Sequence, residues 1–405
     1  MRVDGGGTRH LTYCTNIHAA DGWPAVEANV RRFAPALKRR FAPDDPFGVG
    51  LRLSARDARE LQEGSRLEAF RTFLDAEGLY VAIINGFPFG SFHGSVVKAD
   101  VYAPDWRDPA RLAYTLDLSR ILARLLPDGI DGGVSTAPLS YKAWMPATDT
   151  AGWMQATENV TEVAIALARL RQEQGTFIHL DIEPEPDCCL ETSTETITYF
   201  EQWLLRHGTP RLARALGVGA DEARDILLDH VRVCFDCCHF AVEHEDPIEA
   251  LDRLARAGIR IGRIQLSSAL RADVPAEADR AAAVHARLRP FADSTYLHQV
   301  VTRSADGRHQ FPDLDVALAQ AVSNAAAEWR IHFHVPLFLR EYEGLGSTQD
   351  DVRRVIEAAM AHPITTHLEI ETYTWDVLPP GLKIDLLDSI EREYNWVLGV
   401  MRGTP

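Results

Sequence analysis

Acidic side chains alternate with apolar ones in the stretch FIHLDIEPEP, at residues 177–186. His179, Asp181 and Glu183 share one face of an extended chain, because successive side chains of a strand point to opposite sides. The other face is apolar. Removing an unpaired carboxylate from water is costly. The polar face therefore needs bases, hydrogen-bond donors or a cation opposite it.

Four later strand-like stretches repeat this division into a polar and an apolar face. The polar residues near their carboxyl ends are Asp236, Gln265, His334 and Glu371. Together with Glu183 they offer several oxygen atoms and one imidazole. Such a ligand set suits Mn²⁺, Mg²⁺, Co²⁺ or Zn²⁺. We therefore predict a divalent-metal site formed by these five residues.

Buried ion pairs are the alternative explanation of the same pattern. Arg232 or Arg263 could neutralise Asp181 and Glu369 without any metal. Together with His179, these two acids lie one layer deeper than the residues at the strand ends. We expect these deeper residues to be structural partners rather than metal ligands.

Further polar and aromatic residues follow the strand-like stretches and could surround the same site. The motif DCCH brings a histidine back over the end of its strand, toward a substrate or the metal. A rim of hydrogen-bonding and aromatic groups suits a small polyhydroxylated metabolite. The segment NGFPFGSFHG, at residues 85–94, has the composition of a lid or binding loop. The candidate substrate-binding residues are His239, Tyr13, Asn16, His18, Asn85, Phe87, His93, Lys142 and Trp375.

Short β-rich stretches alternate with amphipathic helical stretches along the whole chain. This alternation predicts βαβ units and a parallel sheet, and eight such units favour a (β/α)₈ TIM barrel. The apolar strand faces must meet the helices, so the polar faces point into the barrel. Because there are nine candidates, we expect either 261–268 or 329–338 to lie outside the barrel. The candidates are 10–17, 48–54, 79–86, 132–140, 176–184, 231–239, 261–268, 329–338 and 366–375.

The length of the chain and the absence of a Pro/Gly/Ser-rich linker limit the number of domains. The chain has 405 residues, which suits one large domain or two moderate ones. We expect one domain over residues 1–405. A loop or hairpin insertion is expected at about 270–328.

Charge and composition exclude several kinds of partner. The formal net charge is −16, which argues against nucleic acid and against an anionic membrane surface. No apolar run approaches 18 residues, so no membrane insertion is expected. Six cysteines and no secretory signal favour a cytoplasmic protein. A zinc site from Cys234, Cys237 and Cys238 lacks a fourth ligand of the usual spacing. A homo-oligomer is left open.

The order of the site residues resembles the xylose-isomerase-like TIM barrels. That family includes ketose 3-epimerases, sugar-phosphate isomerases and type IV endonucleases, and it holds metal with Glu, Asp, His and Glu. Glu183, Asp236 and Glu371 match three of these ligands. The seventh strand offers Gln265 where the family has histidine, whereas His334 comes one unit later. The resemblance leaves the third ligand open between these two residues.

A narrower resemblance rests on three motifs. HLTYCTNIHAADGW at 10–23, NGFPFGSFHG and HLEIETYTW are similar to the EboE family of Ebo-operon metabolite traffic proteins. This resemblance covers nearly the whole chain. It implies a sugar or cyclitol as the substrate.

The residues and the resemblance together favour a divalent-metal-dependent isomerase or epimerase of a sugar or cyclitol. Glu183 and Glu371 would move a proton on opposite sides of a substrate carbon, through an enediolate. Trp375, Phe87 and Phe89 could supply an apolar wall. One alternative is a non-catalytic metabolite-binding or traffic protein on the same barrel. A second is an endonuclease IV-like metallohydrolase, which the acidic net charge disfavours.

Overall fold

The computed structural model describes residues 1–3, 8–90, 98–320 and 326–403, and its centre is an eight-stranded parallel barrel. The barrel strands are β1 (His10–Tyr13), β2 (Phe47–Arg52), β3 (Leu79–Asn85), β4 (Gly132–Thr136), β5 (Ile178–Ile182), β6 (Val231–Asp236), β7 (Ile261–Leu266) and β14 (His367–Ile370). They are ordered β1-β14-β7-β6-β5-β4-β3-β2, and a parallel bridge between Cys14 and Gly50 links the two ends. The predicted (β/α)₈ barrel is confirmed.

A second, antiparallel sheet is built from the chain between β7 and the helix that precedes β14. Its strands are β8 (Ser268–Val274), β9 (Val300–Ser304), β10 (Gly307–Phe311), β11 (Ala327–Val335), β12 (Glu341–Tyr342) and β13 (Leu345–Ser347), in the order β10-β9-β11-β8-β13-β12. The candidate strand 329–338 falls in β11 and therefore lies outside the barrel. The candidate 261–268 forms β7, inside it.

Helices cover the outside of the barrel and connect its strands. The α-helices are α1 (Trp23–Phe41), α2 (Ala55–Leu61), α3 (Arg66–Glu77), α4 (Pro109–Leu125), α5 (Thr150–Gln174), α6 (Ser193–Tyr199), α7 (Thr209–Leu216), α8 (Ala220–His230), α9 (Cys237–Val242), α10 (Pro247–Arg256), α11 (Ala278–Leu288), α12 (Leu314–Gln320), α13 (Gln349–Ala361) and α14 (Leu386–Met401). A π-helical turn, Phe200–Gly208, joins α6 to α7. Short 3₁₀ helices occupy Thr15–Ile17, Lys98–Tyr102, Arg289–Phe291, Thr374–Asp376 and Pro380–Leu382. Within the described ranges, no helix has the length and apolar character to cross a membrane.

The polar strand faces meet inside the barrel around Arg263. Its guanidinium donates to Asp181 at 3.1 Å and to Glu369 at 3.3 Å, and also to two main-chain carbonyls. His179 hydrogen-bonds to Asp181 at 2.5 Å. All of these side chains are fully buried. Arg232 instead pairs with Asp131, at 3.4 Å. The barrel interior therefore holds a neutralised polar layer below its mouth.

Two glycines make room for this layer. A Cβ atom at Gly262 would collide with the carboxylate of Asp181, and one at Gly50 would collide with that of Glu369. Neither glycine has a positive φ, so the requirement is for space rather than for backbone conformation. The buried acids thus approach strands that carry no side chain at the point of contact.

Candidate active site

Three acids meet at the carboxyl ends of barrel strands. Glu183 follows β5, Asp236 ends β6 and Glu371 follows β14. Each offers an oxygen, and these oxygens lie within 4.8 Å of one another. At most 4% of any of the three residues is exposed. Active sites of (β/α)₈ barrels lie at this end of the strands.

Burial and mutual repulsion set the protonation of these acids. Burial raises the pKa of Glu183 well above its usual value, and the charge of Asp236 raises it further. Burial raises the pKa of Glu371 in the same way, with Glu183 adding to the effect. Burial alone would also raise the pKa of Asp236, but neighbouring imidazoles and the Ser267 hydroxyl lower it below its usual value. Three anions so close together need a cation to be stable.

Unpartnered buried atoms at this point fit a divalent cation. Glu183 Oε2, Asp236 Oδ2 and His334 Nε2 have no hydrogen-bond partner among the described residues. Nδ1 of His334 lies 2.8 Å from the carbonyl oxygen of Glu371 and must be its donor, so Nε2 carries the lone pair. Oxygen and imidazole donors of this kind are ligands of divalent metals. Such orphaned buried groups are rare without a bound ion or water.

The two alternatives for the third ligand occupy different positions. Gln265 accepts a hydrogen bond from the Cys234 thiol at 3.0 Å and does not line the mouth cavity. His334 groups instead with Asp236 and His239, with potential ligand atoms within 4.8 Å of one another. The structure thus brings His334, and not Gln265, to the mouth cavity.

Two more histidines extend the polar cluster. His239, on α9, directs Nε2 at Nε2 of His332, on β11, at a distance of 3.1 Å. Burial lowers the pKa of His332 well below its usual value and lowers that of His334 to about 4. These two rings are therefore neutral near pH 7.

The cluster opens into a cavity at the mouth of the barrel. Glu185 lies in its wall, where burial raises the pKa of the carboxyl to about 7. Acids, imidazoles, amides and aromatic rings face the same space. The described lining residues are Asn16, Asn85, Phe87, Pro88, Lys98, Val101, Tyr102, Glu183, Glu185, His239, Tyr296, Leu297, His332, His334, Glu371 and Tyr373.

Four of the predicted substrate-binding residues line this cavity. Asn16 and Asn85 both donate to Oε1 of Glu371, at 2.7 and 3.2 Å. Phe87 and His239 contribute an aromatic face and an imidazole to the wall. The two amides therefore orient a carboxylate of the acid cluster as well as facing the cavity.

Tyr13 and His18 are placed away from the cavity. They contact each other at 3.3 Å, and His18 stacks on Phe33, because the chain turns into a 3₁₀ helix directly after β1. Trp375 and Phe89 pack with the apolar residues around the barrel instead.

Lys142 and His93 complete the set of predicted residues. Lys142 forms ion pairs with Glu191 and Glu195, which hold its ammonium group outside the cavity lining. His93 lies outside the described residues, as does most of the second half of the predicted binding loop.

Several lining residues were missed by the sequence predictions. His332 lies two residues before His334 and so shares its strand face, and Glu185 continues the alternation of β5. The sequence pattern could therefore have predicted both residues. Tyr102 and Tyr296 come from connecting segments without regular alternation. No sequence pattern pointed to these two tyrosines.

The cysteines do not form a common site. All six are buried free thiols. Cys234 points to Gln265 inside the barrel, Cys237 packs in the main apolar core, and Cys238 packs in a separate cluster. Among the described residues, the groups with metal-like spacing do not include this trio.

Searches with the sequence matched no family model and no curated protein. Similar solved structures include a xylose isomerase-like TIM barrel protein from Mycobacterium smegmatis in complex with magnesium. It is 14% identical, with a TM-score of 0.51 over 100% of this chain and 99% of that one. A xylose isomerase domain protein from Planctomyces limnophilus is 13% identical, with a TM-score of 0.51 over 98% and 97%.

These likenesses concern the fold. The chain has the architecture of a xylose isomerase-like TIM barrel, as the broader resemblance implied. The narrower resemblance to the EboE proteins receives no support from the comparisons.

Proposed function

We propose that the chain is a divalent-metal-dependent isomerase or epimerase of a sugar or cyclitol. The observation that carries this proposal is the buried cluster of Glu183, Asp236 and Glu371, which has unpartnered oxygens and opens into the mouth cavity. Its fold neighbour from Mycobacterium smegmatis was solved with magnesium, which supports a cation on this scaffold.

Four residues would hold the metal: Glu183, Asp236, His334 and Glu371. When bound, a divalent cation there would polarise a substrate carbonyl and stabilise negative charge developing on its oxygens. The carboxylates must be deprotonated to bind it, so the raised pKa values of the two glutamates make affinity fall at acidic pH.

Glu183 and Glu371 would transfer the proton. Burial favours the protonated form of each, which makes their carboxylates stronger bases than exposed ones. Asn16 and Asn85 hold Oε1 of Glu371 through two hydrogen bonds, which fixes the carboxylate relative to the cavity. One glutamate would remove a proton from the substrate carbon, and the other would return it on the opposite side.

The charge of the cavity wall favours an unphosphorylated substrate. Lys98 is the only lysine or arginine in the described lining, and its ammonium group is already paired with Asp313 at 2.5 Å and with the carbonyl of Tyr296 at 2.6 Å. Amides, imidazoles and tyrosine rings also line the cavity, and polar groups of these kinds suit the hydroxyl groups of a ligand. A neutral polyhydroxylated compound fits this wall better than a sugar phosphate.

Exchange of substrate hydrogen with solvent tests the proton-transfer assignment. The 405-residue protein with Mn²⁺ in D₂O would be incubated with D-fructose, D-psicose and a keto-inositol, and deuterium at carbon would be followed by NMR. We expect exchange in the parent protein and a loss of at least 100-fold in Glu183→Gln and Glu371→Gln, because an amide cannot accept the proton.

Glu173→Gln is the matched control, because this exposed glutamate lies on α5, outside the lining. It should exchange at the parent rate. Parent-level exchange by either cavity variant would contradict the assignment. Binding of a probe without exchange in the parent protein would support a carrier instead.

A further inference from the structure

Two histidines and an aspartate meet at the end of the barrel opposite the acid cluster. Asp131 immediately precedes β4, His179 is the second residue of β5, and His367 is the first residue of β14. Each offers a potential ligand atom, and these atoms lie within 4.8 Å of one another. Successive residues of a strand advance by roughly 3.3 Å, which places His179 roughly 13 Å from Glu183 along β5. The group is therefore separate from the candidate active site.

The ring of His179 is oriented by a buried carboxylate. Its Nδ1 lies 2.5 Å from Oδ1 of Asp181, which also accepts from Arg263. An acid paired with a guanidinium acts as an acceptor, so Nδ1 carries the proton. Nε2 of His179 faces Oδ2 of Asp131 at 3.6 Å, is fully buried and has no hydrogen-bond partner in the described structure. Histidines that bind metals commonly donate their other ring nitrogen to a carboxylate in this way.

The carboxylate of Asp131 has one close donor and one more open side. Its Oδ1 accepts from the Thr366 hydroxyl at 2.9 Å. Its Oδ2 makes longer contacts, to Nη1 of Arg232 at 3.4 Å and to Nε2 of His179 at 3.6 Å. Charge-assisted hydrogen bonds are about 2.7 to 2.9 Å long. The Oδ2 side is therefore not closed by a tight ion pair.

His367 lies beside the other oxygen of Asp131. Its Nε2 is 3.3 Å from Oδ1 of Asp131 and 3.0 Å from the main-chain carbonyl oxygen of the same residue. Its Nδ1 has no hydrogen-bond partner within the described ranges. The neutral ring can carry its proton on Nδ1, which leaves the lone pair of Nε2 for a cation. Stacking on His10, with ring centres 5.6 Å apart, holds the ring in place.

The separations between these atoms match those of ligands around one ion. Ligands at zinc bonds of about 2.0 to 2.2 Å in a tetrahedron lie roughly 3.3 to 3.6 Å apart. The two histidine nitrogens lie 3.6 and 3.3 Å from the two carboxylate oxygens of Asp131. Asp131 also lines a cavity with His10, Phe177 and Thr366, and its side chain is 19% exposed. An ion can therefore reach the group from this cavity, with water as a further ligand.

Arg232 is the alternative partner of Asp131. Its guanidinium also donates to the main-chain carbonyl of Asp229 at 3.0 Å and lies over the ring of Phe177, 5.1 Å from the ring centre. These contacts hold Arg232 at the side of the group. They leave the lone pair of His179 opposite a carboxylate oxygen. Two acceptors that face each other repel, unless a proton or a cation lies between them.

We propose that Asp131, His179 and His367 hold a zinc ion at the amino end of the barrel. Two imidazoles and one carboxylate suit Zn²⁺ or Co²⁺, whereas Mg²⁺ prefers oxygen ligands. The ion would link the last barrel strand, β14, to β4 and β5, which are not its neighbours in the sheet. His179, which the sequence predicted to be a structural partner, thus also becomes a ligand. The inference does not rest on the proposed function, because these three residues do not line the mouth cavity.

Counting bound Co²⁺ tests this site. The 405-residue protein would be stripped with EDTA, loaded with CoCl₂, freed of unbound ion by gel filtration and examined by elemental analysis. We expect Asp131→Asn to bind one Co²⁺ fewer per chain than the parent protein, because an amide supplies no negative charge to the ion. Asp128→Asn, at an exposed position of the same cavity, is the matched control and should keep the parent count.

A second variant removes an imidazole instead of the carboxylate. His367→Gln should lose the same ion, since the glutamine amide can still donate to the carbonyl of Asp131 but offers no ring nitrogen. Anomalous diffraction from crystals of the Co²⁺-loaded parent protein needs no variant, so it decides the question even where the variants fail to fold. We expect a peak about 2.0 to 2.2 Å from donor atoms of all three side chains. The absence of a peak at this position would overturn the proposal.

The outcomes separate this proposal from the proposed function. An ion that is lost in Asp131→Asn and kept in Glu371→Gln supports the zinc site, whether or not the mouth also binds metal. The parent count in Asp131→Asn would overturn the zinc site alone and indicate a proton between His179 and Asp131. A parent protein that binds no metal ion would contradict both proposals.

Discussion

The guanidinium of Arg263 neutralises two acids inside the barrel. It is fully buried with Asp181 and Glu369, and its remaining donors reach main-chain carbonyls of β3 and β4. A buried charge left without its partner costs far more than a surface ion pair contributes. The interior layer therefore depends on this one side chain.

Replacing Arg263 should destabilise the whole barrel. For Arg263→Leu we expect the free energy of unfolding to fall by about 3 to 5 kcal/mol, because two acids lose their counter-charge. Urea denaturation followed by circular dichroism measures the change. Arg120→Leu, which removes an exposed ion pair with Asp117, should cost less than about 1 kcal/mol. Equal costs for the two variants would count against the role of Arg263.

The alternation of polar and apolar side chains along each strand was the feature of the sequence that predicted individual site residues. It predicted which side chains enter the barrel, because alternation on a strand is a local property. It therefore placed Glu183, Asp236 and Glu371 at one end before any contact was known. It did not give the positions of Tyr13, the last residue of β1, or of His18, whose direction depends on the 3₁₀ helix that follows the strand.

At the level of elements, the second sheet changes the composition of the mouth. β11 pairs with β8 and β9, and it supplies His332 and His334 to the cavity. The other lining residues come from β3, from α9 and from the segments that follow or connect barrel strands. The sequence predicted a strand there but could not assign it to a sheet, because parallel and antiparallel partners are chosen by contacts distant in sequence. Imidazoles expected from the barrel thus come from outside it.

The helix α14 ties two segments near the mouth together through Glu393. Its Oε1 accepts from the Thr372 hydroxyl at 2.6 Å and from the main chain of Leu337 at 3.1 Å. Burial raises the pKa of Glu393 to about 7. Its protonated form is therefore favoured in the folded state.

This raised pKa predicts a pH-dependent stability. The contribution of Glu393 to the free energy of unfolding is fully present below the pKa of this carboxyl in the unfolded chain. It is lost as pH rises through the pKa in the folded state, about 7. The rise from 4.5 to about 7 corresponds to about 3 kcal/mol. Glutamine does not titrate, so Glu393→Gln should not lose stability with rising pH in this way. We therefore expect the variant to become more stable relative to the parent protein between pH 4.5 and 7.

Chemical denaturation at several pH values measures the difference between the two proteins. Asp388→Asn, exposed on the same helix, should follow the parent curve at every pH. A constant difference between parent and Glu393→Gln over this range would show that the carboxyl does not titrate as described.

At the scale of the molecule, bound metal and folding are linked. A ligand that binds only the folded state at 100 times its dissociation constant stabilises it by about 2.7 kcal/mol. We expect Mn²⁺ to raise the melting temperature of the EDTA-treated protein, and more so at pH 8 than at pH 6, because Glu183 and Glu371 must lose their protons. Scanning calorimetry measures the shift. Glu371→Gln should show a smaller rise, and an equal rise would place the ion elsewhere.

The whole-molecule fold was accessible from sequence because eight alternations of strand and helix leave few other arrangements. The acid cluster could be predicted from this fold, since barrel closure brings the carboxyl ends of all strands to one mouth. The positions of the tyrosines in the cavity wall and of the facing imidazoles could not be predicted, because they depend on how the second sheet packs over that mouth.

The pairing of β14 between β1 and β7 has a consequence for biosynthesis. A growing polypeptide has already made β1 to β13 when residues 367–370 leave the ribosome, and until then β1 and β7 each present an open edge. Unpaired edges are templates for association with other chains. The same short segment that seals these edges is followed at once by Glu371. Protection from aggregation and completion of the acid cluster therefore arrive together.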